Sequence, residues 1–152
     1  MKKRLIILFC FVFIAGAIGS AYAQFAEPEH AIKYRKAAMF LIAQHFGRMG
    51  AMVKEKIPYD QEVFTENAML VETLSRLPWE AVMVPGTDTG DTTLNSAAFT
   101  QPAKFKEVSQ NFETQTAKLL SAAQSGNLNS IRTQFGEVAK SCKACHSQFR
   151  TK

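Results

Sequence analysis

The sequence predicts an all-α protein, an antiparallel bundle of four helices, on three observations. Four stretches between residues 28 and 150 carry apolar side chains at steps of three, four and seven residues. No stretch alternates apolar and polar residues as a half-buried strand does. The breaks between the stretches hold Pro, Gly, Asn and Asp, which stop and cap helices. Amphipathic helices of this length bury their apolar faces against one another, so a bundle is the default packing. A chain of 152 residues fits one such domain.

The chain opens on Met1-Lys2-Lys3-Arg4, an apolar run from Leu5 to Ile18, and "GSAYAQF" with small residues at Ala21 and Ala23. This is the pattern of a secretory signal spanning residues 1–23, and the apolar run is short for a membrane span. Cys10 leaves with the leader, because bulky Phe9 before it does not suit a lipoprotein site. Cleavage removes three basic residues and no acid, so the formal charge of +5 falls to +2 in residues 24–152. The basic balance belongs largely to the leader; no nucleic-acid partner and no membrane association are expected of the mature chain.

Pro28 suits a helix start, and Ile32, Met39, Ile42, Phe46, Met49 and Val53 form the stripe of a first helix over about 28–53. Gly47 and Gly50 loosen its end, and "EKIPYD" makes a turn in which Asp60 caps the next helix. Val63, Leu70, Leu74 and Leu77 are expected to be the buried stripe of the second helix, which Pro78 ends. Residues 78–101 keep no period, and a loop this long is usually functional or a crossover. A third helix over about 102–125 places Phe105, Val108, Phe112, Leu119 and Ala122 on one side. "SGN" stops it, and Asn127 caps a fourth helix whose seam is Ile131, Phe135, Val138, Cys142, Cys145 and Phe149.

That seam carries the chemistry. Cys142-Lys143-Ala144-Cys145-His146 is a CxxCH, the motif of covalent haem c attachment. Both cysteines stand where core residues belong, and His146 lies one turn beyond Cys142, so all three are expected to face the interior. A thioredoxin-like pair wants a strand-to-helix context, and zinc wants more clustered ligands; neither is present in the sequence. His146 is then the axial iron ligand. Any protein ligand on the other face must come from upstream, where Met39 and His45 on the first helix are candidates and His30 is too near its start. Arg35 interrupts the apolar stripe; either it meets an anion such as a haem propionate, or its stem snorkels to water. Arg150, one turn after His146, shares its face.

The segments "QFAEPEHAIKYRKAAM", "HFGRM", "PYD", "LSRLPW", "PGT" and "SCKACHSQFR" resemble, in order, the cytochrome c′ family, the class II c-type cytochromes. The resemblance spans residues 24–152 and implies an up-down-up-down bundle with one covalent haem c, in the periplasm. It implies a five-coordinate, high-spin iron with His146 as sole protein ligand and a distal pocket closed by Met39. It assigns Arg35 and Lys36 to the propionate side, Asp91 to a loop near the haem, and Phe149 and Arg150 to the pocket. The residue-level alternative, a six-coordinate low-spin electron carrier using Met39 or His45, stands beside it. The family further implies binding of NO and CO, with NO able to release the proximal histidine. Its role is NO defence or electron transfer with a redox partner protein, and no enzymatic acid–base pair is visible. Such proteins form homodimers through the first two helices, where Phe40, Leu41 and Met52 are the candidate contacts.

Overall fold

The computed structural model describes residues 25–151. The expected leader, residues 1–23, lies outside them. Helix α1 spans Pro28–Val53, α2 Gln61–Leu74, α3 Ala97–Thr100, α4 Pro102–Ser125 and α5 Leu128–Phe149. The four long helices match the four expected, and α3 is a single turn inside the segment expected as loop.

Local chemistry sets the boundaries. Proline opens both α1 and α4, at the position where its missing N–H costs nothing. Asp60 caps α2 by accepting from Val63 N at 3.0 Å, and Asn127 caps α5 by accepting from Ser130 N at 3.0 Å. Between α4 and α5, Gly126 adopts φ 69°, a left-handed conformation that lets the chain reverse within two residues.

Cross-helix partners give the directions. His45 meets Asn67, Ser75 meets Thr116, and Gln115 meets Gln134. Phe46 stacks on Phe135 at 4.1 Å and Phe105 meets Phe149 at 5.2 Å. Along α4 and α5 the partners run in opposite order, Phe105 with Phe149 and Gln115 with Gln134, and the bundle runs up, down, up, down in the ring α1–α2–α4–α5. The main core joins Ile42, Met49, Phe64, Val71, Phe112, Leu119, Ile131 and Val138. A smaller cluster of Val82, Ala98, Phe105, Val108 and Phe149 lies at the other end, and Trp79 packs against both.

Two expectations about faces need correction. On α2 the buried line is Phe64, Asn67, Ala68 and Val71, continued by Ser75. Val63, Leu70 and Leu77, expected inside, are exposed, and Leu74 is half-buried. A helix with apolar residues on two sides has two stripes of the right period, and tertiary packing chooses the one with the aromatic ring. Met52, expected on an outer face, is buried in the core; on α4 it is Ala123, beside the expected Ala122, that is fully buried.

Candidate haem site

The segment between α2 and α4 is built around one buried cation. Arg35, on the inner face of α1, is 6% exposed. It donates from Nη1 to Ala81 O at 3.2 Å and from Nη2 to Thr87 O at 2.9 Å and Thr92 Oγ1 at 2.7 Å. The sequence left this residue between an anion and the solvent. Here it meets two carbonyls and a hydroxyl, so burial lowers its pKa with no acid among these partners to offset it. The next residue, Lys36, has its Nζ 2.6 Å from Asp91 Oδ2, which ties the far end of the loop to α1. That ion pair holds the Asp91 carboxyl below its usual range.

The same loop is fastened to the end of α5. Thr151 N donates to Thr93 O at 2.8 Å and Asn95 N to Phe149 O at 3.0 Å, flanking a bridge between Leu94 and Arg150. Arg150 Nε also donates to Thr93 Oγ1 at 3.1 Å. The last two turns of α5, which carry the CxxCH, therefore have the loop as one wall and α1 as another.

Between these walls is a cavity of about 810 Å³. Its lining includes Arg35, Lys36, Met39, Asp91, Cys142, Cys145, His146, Phe149 and Arg150. These nine of the residues nominated from the sequence are thus brought to one space; His45 is not. Cys142 and Cys145 are half-buried and His146 is the most exposed of the three. Burial pushes both thiols up to about 11, and for Cys145 the neighbouring Cys142 adds to it. The imidazole of His146 is held lower than usual by burial and by Arg150, which favours the neutral form that binds metals.

Sequence reasoning missed the aromatic and loop walls: Trp79, Val82, Thr92, Thr93, Leu94, Phe105 and Phe112 also line the cavity. Of these, Phe105 and Phe112 lay on the expected α4 stripe and read simply as core. His45 is not among the lining residues; its Nδ1 lies 2.9 Å from Oδ1 of buried Asn67, whose amide donates to Val63 O. That ring is occupied on the α2 side of α1.

The donor set fits a covalently attached haem. Two thiols one helical turn apart and an adjacent imidazole face a cavity with flat aromatic walls, as a macrocycle needs. At the polar end stand Arg35 and Lys36, able to meet carboxylates. Trp79 Nε1, buried without a hydrogen-bond partner among the described residues, is a further donor on the lining.

Comparison with known proteins agrees. The family described as cytochrome C′ matches residues 30–150. Cytochrome c′ of Alcaligenes xylosoxydans is 45% identical over 129 residues, covering 85% of this chain and 99% of its own. The structure of cytochrome c prime from Shewanella frigidimarina, 40% identical, superposes with a TM-score of 0.82 over 85% of this chain and 100% of its own. Mutants of the Alcaligenes xylosoxidans protein, 44% identical, have been solved as a nitric oxide complex with a TM-score of 0.78 and with carbon monoxide bound with a TM-score of 0.79. Each covers 85% of this chain, and 99% and 100% of its own chain respectively. With the family matched over nearly the whole bundle and the attachment residues in place, the chain belongs to the cytochrome c′ family, and its cofactor is a covalently bound haem c.

Proposed function

We propose that this chain is an exported, periplasmic haem protein with a five-coordinate, high-spin iron that binds NO and CO at an apolar distal pocket. Its role is NO binding and detoxification or electron transfer, without the acid–base machinery of an enzyme. In this reading residues 1–23 are removed and residues 24–152 form the working domain. The observation that carries the reading is the composition of the α1 wall. In the cavity that the CxxCH lines, that wall offers Met39, Ile42 and Phe46 and, among the described residues, no histidine. The gas complexes solved for relatives support the same conclusion.

When bound, the haem would supply an iron able to take up a gas ligand and to pass single electrons. The chain supplies everything around it. Cys142 and Cys145 would anchor the group through thioethers, and His146 in its neutral form would hold its iron. Phe149 lines the cavity T-shaped against Phe105, and Arg150 keeps positive charge beside the imidazole. Arg35 and Lys36 bind at the propionate end, with Asp91 holding Lys36 in place. Met39, on the cavity wall, would close the face away from His146 and would have to yield to an incoming ligand. It brings no N–H or O–H donor, so it does not steady a bound dioxygen by hydrogen bonding, whereas NO and CO need no such help.

The position of Met39 on the cavity wall also favours a second reading, a low-spin electron carrier in which its sulfur is the sixth ligand. Absorption spectra of the ferric and ferrous protein, with and without CO, separate the two. The open-site reading expects high-spin spectra and a large change on adding CO. A low-spin ferrous spectrum that CO leaves unaltered would refute it, and Met39→Ala should then open the site. A second copy of the chain is expected to pack on the outer face of α1 and α2. Leu41, Val63, Met69 and Leu70 leave apolar surface there.

A further inference from the structure

Helix α1 shows the cavity two parallel lines of residues. Arg35, Met39, Ile42 and Phe46 form its wall, and Lys36, Phe40, Ala43 and Gly47 form a lip, each of whose residues is exposed. At one end of the lip Lys36 is tied across to Asp91. At the other, Ala43 and Gly47 carry almost no side chain, and Ala139, which borders the cavity from α5, is small and exposed as well. Phe40 stands between the tied end and the low end as the bulky apolar residue of this lip, 61% exposed. An aromatic ring left in water beside an apolar cavity gains by folding over it, because that removes its surface from solvent. Exposed side chains change rotamer within nanoseconds, so such a cover opens and closes rapidly.

We propose that Phe40 is an outer gate that selects ligands by size, passing diatomic gases and slowing bulkier ligands before they reach Met39. The proposal rests on the open-site reading above. Phe40 and Met39 are neighbours in sequence but lie on different lines, one on the lip and one on the wall, so a ligand meets them in series. The first acts on passage and the second on the space at the iron.

The test is stopped-flow mixing of the reduced, haem-loaded protein with carbon monoxide and, separately, with tert-butyl isocyanide. Wild type, Phe40→Ala and Phe40→Trp are compared. Phe40→Ala should raise the isocyanide association rate about tenfold and the CO rate less than about threefold, while Phe40→Trp slows the isocyanide. Because a gate changes the barrier in both directions, isocyanide dissociation should change in step and affinity should hold. The spectrum of the unliganded ferrous protein should be the same in all three, and an exposed position tolerates both substitutions. Equal effects on both ligands, or a change in affinity with association rates unmoved, would overturn the proposal. So would a Phe40→Ala variant of altered mass in solution, which would assign the ring to a contact between copies. If wild type binds CO while neither variant changes any rate, the gate alone falls. If wild type binds neither ligand, the open-site reading falls and takes the gate with it.

Discussion

Replacing Arg35 by Met keeps the length of the side chain and removes every donor. Ala81 and Thr87, whose carbonyls Arg35 satisfies, are both 0% exposed, so water does not take over when the guanidinium goes. Each buried carbonyl left without a partner costs about 1–3 kcal/mol. Thr92 is half-buried and recovers its hydrogen bond from solvent, so it adds little. Against this, Met no longer confines a cation away from water, which returns part of the loss. The net expectation is a destabilisation of about 2–4 kcal/mol. The assay is urea unfolding of the haem-loaded protein, followed by far-ultraviolet circular dichroism for the helices and by fluorescence for the loop. Trp79 is the chain's one tryptophan and sits in that loop. With a slope typical of small domains, the midpoint should drop by about 1–2 M. Arg35→Lys, which keeps the charge but concentrates it in an ammonium that does not span three separate acceptors, should lose about half as much. A midpoint for Arg35→Met within about 0.3 M of wild type would refute the view that this residue holds the loop to α1.

Two further outcomes concern the attachment and the rim. The double variant Cys142→Ala/Cys145→Ala should lose all haem on denaturing electrophoresis, while either single variant keeps a haem-stained band; a stained band in the double variant would exclude thioether attachment at these positions. Lys36 holds the folded-state pKa of Asp91 below its ordinary 3.8, so the stabilisation from this pair is present above the unfolded value and is lost as pH falls through the lower folded one. Lys36→Met should return Asp91 toward 3.8 in an NMR titration, as should high salt, since the carboxylate is fully exposed and easily screened.

The parts of this protein that local chemistry dictates were legible in the sequence. The caps Asp60 and Asn127, the prolines that open α1 and α4 and the spacing of the CxxCH each depend on residues within one turn of chain. What failed was the choice between two equally periodic faces. Val63, Leu70 and Leu77 repeat every seven residues as well as Phe64 and Val71 do, and periodicity alone does not say which line meets Phe112 and Leu119. Phe64, as the sole aromatic of α2, was the available signal. The site divides in the same way. The α5 and α1 walls were found because each lies on one helix, whereas Trp79, Thr92 and Leu94 reach the cavity through contacts with partners far away in the chain. Arg35 was correctly marked as out of place in an apolar stripe; its partners, 46 and more residues onward, were beyond any local pattern.

The anchoring groups all lie within residues 142–146 of one helix, while the distal wall comes from another. Possession of the haem and tuning of the haem are therefore separable properties. A chain denatured in urea keeps its chromophore, so its refolding midpoint does not depend on added haem, unlike a protein that binds its cofactor by mass action. On the function proposed above, substitutions along α1 would change ligand choice or spin state without risking cofactor loss. A single bundle of this kind can thus be carried to different tasks by variation of a helix that never touches the covalent bonds.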